Sequence, residues 1–511
     1  MQSYFFPLLL VPILWSLQKL VRWLTKSQPA PYPPGPKPKF LIGNALDIPS
    51  VKSSKVYVEW EKKYNSKILH AEALGNHILV LNSLEDADEL LEKRSKNYSD
   101  RPHIPLVKIL GWEFNISLMQ FDDVWRLHRK ICQQNFRKGA SEEYDPVHVS
   151  KVNDFLVDLL STPNSNLETN IKKLSIAIPL ASMYGYHLES LDDPCVIAAE
   201  KSASEGGNLL ITATYVNAFP FLGRLPTWVP FAKASRIAEE VRKNTKDMMR
   251  IPTEKIKKLM AEGKASPSLV TSMLERKFSS GITAEEEATI ENIAYTVYGG
   301  ASGTTTASMA TFFHLMSKHR DIQRKAQAEI DKVVGTKRLP GYEDRPRLPY
   351  IEAIYREVMR IAAPLPLSVP HATLEDDIYK GYFIPKGTTV FPNIWAMNHD
   401  PEKYTDPDAF KPERFFDASG KLNDDGRILA YGFGRRVCVG QHVASSIMWL
   451  VIVSVLACFD IGAPEDEDGN ELPINEDYEE VGIVRYKINL GCSVKARSRD
   501  TAQLVTNLRM G

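Results

Sequence analysis

The chain has 511 residues, and its 63 Lys+Arg balance its 63 Asp+Glu to a formal charge of zero. With no basic cluster interleaved with aromatics, that balance excludes a protein drawn to nucleic acid by long-range attraction. At 43% hydrophobic and 25% charged, the composition is that of a globular chain long enough to bury a large core.

Residues 4–17 carry no charge, and Leu20, Val21, Trp23 and Leu24 extend the apolar character past Lys19 and Arg22. The uncharged run is shorter than the roughly 20 residues that span a bilayer, and the extended stretch approaches that length. No cationic segment precedes it, which speaks against a cleaved signal, whereas Lys19, Arg22, Lys26, Lys37 and Lys39 follow. The positive-inside rule then leaves the rest of the chain cytosolic. Residues 1–24 are expected to form an uncleaved single-pass anchor, with an interfacial helix as the alternative. The glycosylation sequons at Asn97 and Asn115 would never meet the machinery.

Residues 29–38 hold six prolines, so 25–40 reads as a stiff, extended hinge. No second linker, repeat or low-complexity block follows, and residues 41–511 read as one body. Helical patterns dominate from 56 to 362, while extended, turn-rich sequence concentrates near 68–82, 365–395 and 480–495. The expected fold class is mainly α, with small peripheral β-sheets. The acidic stretch 465–480, with Gly469 and Pro473, reads as a solvated hairpin or loop. Residues 219–231, rich in Pro and aromatics, read either as a buried helix connection or as a surface that dips into a membrane beside a substrate entrance.

Trp125 and Arg129 lie four apart on one helical face. They are either a packed indole beside a surface arginine or two donors aimed at a carboxylated ligand. Thr283 and Glu286 form a capping box, and apolar periodicity then runs to about Ser317, a helix of roughly 50 Å. Its centre, Gly299-Gly300-Ala301-Ser302-Gly303-Thr304-Thr305-Thr306, is its poorest helix-forming stretch. Threonine hydroxyls bonded to preceding carbonyls bend helices, so a groove is expected there; close packing through small residues is the plainer reading.

Glu357 and Arg360 share a face of the next helix, which Pro364 and Pro366 end. With Arg414, in Pro412-Glu413-Arg414-Phe415, they would make one carboxylate between two guanidiniums. Glu-x-x-Arg is common by chance, so that pair carries little alone. His371 is a carboxylate partner or a satisfied loop histidine.

The five cysteines are far apart and show no metal-type pairing, which fits a reducing compartment. Cys438 differs from the others. It lies in Tyr431-Gly432-Phe433-Gly434-Arg435-Arg436-Val437-Cys438-Val439-Gly440, just before an apolar helical run. Glycines let backbone press against a flat ligand, and two arginines with a following helix N-terminus are expected to favour thiolate. A lone thiolate so held suits haem iron.

Taken in order, Trp-x-x-x-Arg, the Gly/Thr-broken helix, Glu-x-x-Arg, Pro-Glu-Arg-Phe and Gly-x-Arg-x-Cys-x-Gly resemble the cytochrome P450 superfamily, from the proline hinge to the C-terminal sheet. Residues 381–415 look similar to filamentous-fungal members of secondary metabolism. The resemblance implies a haem b cofactor with Cys438 as axial thiolate. Trp125, Arg129, His371 and Arg436 would hold the haem propionates. Glu357, Arg360 and Arg414 would form a structural triad behind the cysteine loop, and Thr304 would be the distal hydroxyl on the long helix over the haem. It also implies insertion of one oxygen atom from O₂ into a lipophilic small molecule. The electrons would come from an NADPH-cytochrome P450 reductase acting in trans, docked near Arg126, Lys130 and Arg435. The setting would be the endoplasmic reticulum membrane, with the catalytic body cytosolic.

Three positions depart from the family pattern. Tyr431 replaces a usual Phe and adds a hydroxyl that needs a partner. Val439 replaces a frequent Pro. Gly303 stands where an acid usually precedes the distal threonine. Either a water chain substitutes and hydroxylation proceeds, or the reaction makes less demand on that relay, as in desaturation, coupling or isomerisation. A non-enzymatic haem sensor or carrier is the remaining class, and it has little use for Thr304.

Overall fold

In the computed structural model the described residues are 29–509, apart from 163–165, 213–215, 218–222, 224–227, 229–232 and 279–280. The expected anchor, residues 1–24, and most of 219–231 lie outside them. Helices carry most of the described chain, and the strands form one four-stranded sheet and three two-stranded ones.

The proline-rich hinge does not stand free of the body. Phe383 N–H donates to Pro31 O at 2.8 Å and His70 N–H to Pro34 O at 2.9 Å. The Tyr32 ring stacks on His70 with centroids 4.5 Å apart. A Cβ on Gly35 would sit 1.8 Å from His70 O, so only glycine permits this approach. The segment is extended, as its prolines require, and is strapped along the sheet.

The larger sheet pairs Ile68–Ala73 with Asn76–Leu81 antiparallel, joins the latter to Thr389–Pro392 in parallel, and ends on His371–Ala372. Val390 opposite His371 fixes the height of that histidine in the sheet.

The central helix runs from Ala284 to Lys318 and begins with the Thr283/Glu286 capping box. The segments on either side of its middle are buried and the middle is not. Ile290, Ile293, Ala294 and Tyr298 are buried before the weak stretch, and every residue from Ala307 to Ser317 is buried after it, while Gly299 and Gly300 are exposed. Packing of both flanking segments therefore holds a stretch whose own propensity is poor. The following helix, Pro349–Ile361, starts on proline, and the Glu329 carboxylate accepts from Tyr350 N–H at 3.0 Å.

The helix Gln441–Cys458 is apolar on every side, and Ile447 to Val455 are all buried. Among the described residues it alone is long and apolar enough to cross a membrane. Its Trp449, Leu450 and Val453 pack with Phe155, Phe312 and Phe313, so it is the core helix of the fold.

One element was not expected from the sequence: Phe459–Gly462, directly after the apolar helix, is a strand paired with Ser493–Ala496. The acidic stretch is a loop, as expected, closed by a Glu465–Glu471 bridge, and its end, Tyr478–Val481, is the first strand of a hairpin completed by Val484–Lys487.

Candidate active site

The loop that presents Cys438 is fixed by its backbone. Gly432 and Gly434 take φ of 79° and 54°, and a Cβ on Gly434 would meet Leu91 O at 2.0 Å. Gly434 N–H donates to Glu92 Oε1 at 2.8 Å, and Cys438 N–H returns to Tyr431 O at 2.8 Å. The hydroxyl at Tyr431 finds its partner in Tyr355 Oη at 2.9 Å, from the helix Pro349–Ile361. Val439 packs against the cluster that contains Trp125, Ile293 and Ala294, which seats the loop beside the first half of the central helix.

Cys438 is exposed in surface area. Burial is nevertheless the largest influence on its thiol and pushes its pKa up, with a Gly440 backbone hydrogen bond and Arg129 acting the other way. Its open surface therefore faces the inside of the molecule. The two adjacent arginines do not act on it as expected. Arg435 is exposed, and Arg436 turns away to the carbonyls of Ser99 at 2.7 Å, Met119 at 2.9 Å and Ile116 at 3.3 Å. The guanidinium that faces the thiol is that of Arg129, whose Nη1 donates to Val437 O at 2.5 Å.

Arg129 and Arg436 belong to a buried cationic cluster. Arg436 lies over the Trp125 ring at 4.3 Å. His371 is buried, its Nδ1 is 2.8 Å from Tyr98 O, and burial with Arg101 and Arg436 lowers its pKa to about 3. Arg101, which its local sequence does not mark out, is the fourth member. Its guanidinium donates to Ser117 O, Val369 O and Pro370 O at 2.7, 2.9 and 2.8 Å. Burial, with Arg436 next, lowers its pKa far below the ordinary arginine range. Burial likewise lowers Arg129, and brings Arg436 to about 10.

Three guanidiniums held mainly by neutral carbonyls, with Asp100 and Asp122 the acids acting on Arg436, are an excess of buried positive charge. Arg129 Nε is buried with no hydrogen-bond partner among the described residues. Such a cluster is matched by a ligand bearing carboxylates. A single thiol turned inward, buried cations and a long helix opened at its middle fit a flat, carboxylated, metal-bearing cofactor.

At that middle, Thr304 Oγ1 donates to Gly300 O at 2.9 Å, Ser302 Oγ to Tyr298 O at 2.9 Å and Thr306 Oγ1 to Ser302 O at 2.9 Å. Gly303 has a neighbour that the sequence did not reveal: a Cβ there would lie 2.5 Å from Tyr486 Oη.

Glu357, Arg360 and Arg414 come together. Arg360 Nε and Nη2 donate to the two Glu357 oxygens at 2.6 and 2.8 Å, and Arg414 Nε donates to Oε1 at 3.0 Å. The remaining guanidinium donors bond carbonyls of 398 and 405–409, among them Asn398 O at 2.7 Å and Thr405 O at 3.0 Å. Glu357 is fully buried, so this network ties the segment before the cysteine loop to the helix Pro349–Ile361.

A cytochrome P450 family profile matches residues 33–488. A cytochrome P450 monooxygenase of Armillaria gallica is 33% identical, covering 97% of this chain and 98% of the relative. Cytochrome P450 monooxygenase 176 of Postia placenta is 36% identical over 95% of this chain and 94% of its own. The Coprinopsis cinerea cytochrome P450 monooxygenase COX1 is 34% identical over 93% of each.

Proposed function

The chain belongs to the cytochrome P450 family, a haem b monooxygenase with a cysteine-ligated iron, and we propose that Cys438 would supply that thiolate and that the protein hydroxylates a lipophilic small molecule. The inward-facing thiol beside the buried arginines carries this reading. Arg101, Arg129, Arg436, Trp125 and His371 hold the cofactor's carboxylates, which supply the counter-charge these side chains lack. Bound haem supplies the activation of O₂, with two electrons from an NADPH-dependent reductase.

The rest is done by the protein. Arg129 biases Cys438 toward its ionised form, and Glu357, Arg360 and Arg414 hold the segment that precedes the loop. The opened helix leaves room for substrate beside Thr304, whose hydroxyl, bonded back to Gly300 O, is oriented to accept a proton-bearing partner. Arg126 and Lys130 on the helix Asp123–Phe136 are exposed together with Val124 and Leu127, and exposed Arg435 shares the Phe121 ring with Arg126, a surface suited to the reductase. Trp228, 81% exposed, supports a membrane-dipping surface near the substrate entrance. An anchor over residues 1–24, an endoplasmic reticulum location and a role in fungal secondary metabolism complete the reading.

The test is spectroscopic. Reduced, carbon-monoxide-bound protein should show the strongly red-shifted Soret band of thiolate ligation, and Cys438→Ser should abolish it. A wild-type spectrum like that of a histidine-ligated haem overturns the assignment. NADPH consumption with reductase and candidate substrates separates a monooxygenase from an isomerase-type enzyme.

A further inference from the structure

The central helix and the C-terminal hairpin meet at one atom pair. Tyr486, on the strand Val484–Lys487, places its hydroxyl where a side chain at position 303 would begin: 2.5 Å from an ideal Cβ on Gly303, with the ring carbon Cζ at 3.7 Å. The hydroxyl reaches the helix because 303 is glycine. Position 303 precedes Thr304, and it is where the sequence lacks the acid expected beside a distal hydroxyl.

The hydroxyls of the helix are already committed as donors. Ser302, Thr304 and Thr306 each donate to a carbonyl one turn back; Thr306 Oγ1 is also 2.6 Å from Ser175 Oγ, which leaves the oxygens of Ser302 and Thr304 as acceptors. Tyr486 Oη has no hydrogen-bond partner among the described residues. We propose that Tyr486 is a positioning residue for the monooxygenase reaction: its hydroxyl donates a hydrogen bond to a water in the groove beside Thr304 and so replaces the side chain that Gly303 lacks. This rests on the reading of the helix centre as the distal groove. Half-burial raises the phenol above its ordinary range, so it keeps its proton at neutral pH and acts as a donor.

The contact makes a paired test possible. Tyr486→Phe removes the oxygen and leaves the ring at ordinary contact distance. Gly303→Ala keeps the tyrosine and pushes its hydroxyl out of place. Both holoenzymes are compared with wild type by the infrared C–O stretch of the ferrous carbon monoxide complex, in H₂O and D₂O. The fraction of NADPH released as hydrogen peroxide in the presence of reductase is the second measurement. Both variants should keep the thiolate-type Soret band, shift the C–O stretch and lose its D₂O sensitivity. Peroxide release should rise roughly 2- to 10-fold, the range of one lost hydrogen bond. The double variant should add nothing to either single change. An unchanged stretch and peroxide fraction in Tyr486→Phe overturns the proposal, as does a Gly303→Ala enzyme that behaves like wild type while Tyr486→Phe does not. A wild-type protein without the thiolate band defeats the haem assignment instead, so the two failures are distinguishable.

Discussion

The phenolic oxygens of Tyr355 and Tyr431 lie 2.9 Å apart and join the helix that carries Glu357 to the loop that carries Cys438. Tyr355 is buried, Tyr431 is partly buried against the same core, and Tyr355 has a second bond to Ser445, which in turn accepts from Arg345 Nη2 at 3.0 Å. Tyr431→Phe should therefore cost about 0.5–1.5 kcal/mol, the net worth of one hydrogen bond, with Tyr355 kept satisfied by Ser445. Urea unfolding of the two single variants and the double Tyr355→Phe/Tyr431→Phe checks it, since residues sharing one bond should be less than additive. Additive losses would show that the pair does not couple helix to loop.

Glu357 is the opposite case, because removing it strands three donors. Arg360 and Arg414 would keep their carbonyls but lose the one carboxylate, which is fully buried, and Lys411 N–H would lose its acceptor at 2.9 Å. Glu357→Ala should cost roughly 3–5 kcal/mol and sharply reduce the yield of haem-loaded protein. Lys39→Ala, which breaks only the exposed Lys39–Asp47 pair at 2.9 Å, should stay within about 1 kcal/mol. Thermal unfolding of both variants against wild type provides the comparison.

These contrasts mark what a single sequence reveals. The capping box, the length of the central helix and the Glu357–Arg360 face were legible because their causes are local and periodic. The grouping of Trp125, Arg129, His371 and Arg436 came only with the family resemblance, since the residues alone left each of them open. Arg101 was not singled out as a charge-bearing site residue, since nothing in Ser99-Asp100-Arg101-Pro102 separates a buried arginine from a surface one. Tyr486 was invisible for a different reason: its meeting with Gly303 joins a helix to a hairpin nearly two hundred residues later, and a glycine's empty side has no sequence signature. The thiol's environment was misjudged through proximity in sequence. Arg435 and Arg436 flank Cys438 in the chain, but one faces solvent and the other bonds carbonyls elsewhere.

Acid should unfold the protein through its buried histidines as well as its carboxylates. Burial holds His70 at about 3 and His399 at about 4, against an ordinary value near 6.5. With folded values depressed, the native state binds fewer protons than the unfolded chain. Their full contribution is present above about pH 6.5 and is lost as pH falls through 4 to 3. His399→Gln should flatten the fall in unfolding free energy between pH 6.5 and 4 relative to wild type. Parallel pH profiles for the two proteins would refute the assignment of that window to His399.

The glycines around Cys438 are expected to differ sharply in what they tolerate. Gly434 has a left-handed φ of 54° and no room for a methyl group, since Leu91 O lies 2.0 Å from the Cβ position. An obstructing backbone carbonyl cannot rotate away as a side chain would, so Gly434→Ala must move the loop or the segment containing Glu92. Gly440 has φ −90° and no atom of the described residues within 4 Å of its Cβ position, so those residues place no demand on it. Gly434→Ala should lower stability by more than 2 kcal/mol on the scale of about 1–3 kcal/mol for overpacking plus backbone strain, and should lose the thiolate-type carbon monoxide spectrum. Gly440→Ala should change unfolding free energy by less than about 0.5 kcal/mol. If its carbon monoxide spectrum fails while the fold persists, the methyl group is meeting the cofactor rather than the protein, which would place residue 440 on the ligand-facing side of the loop.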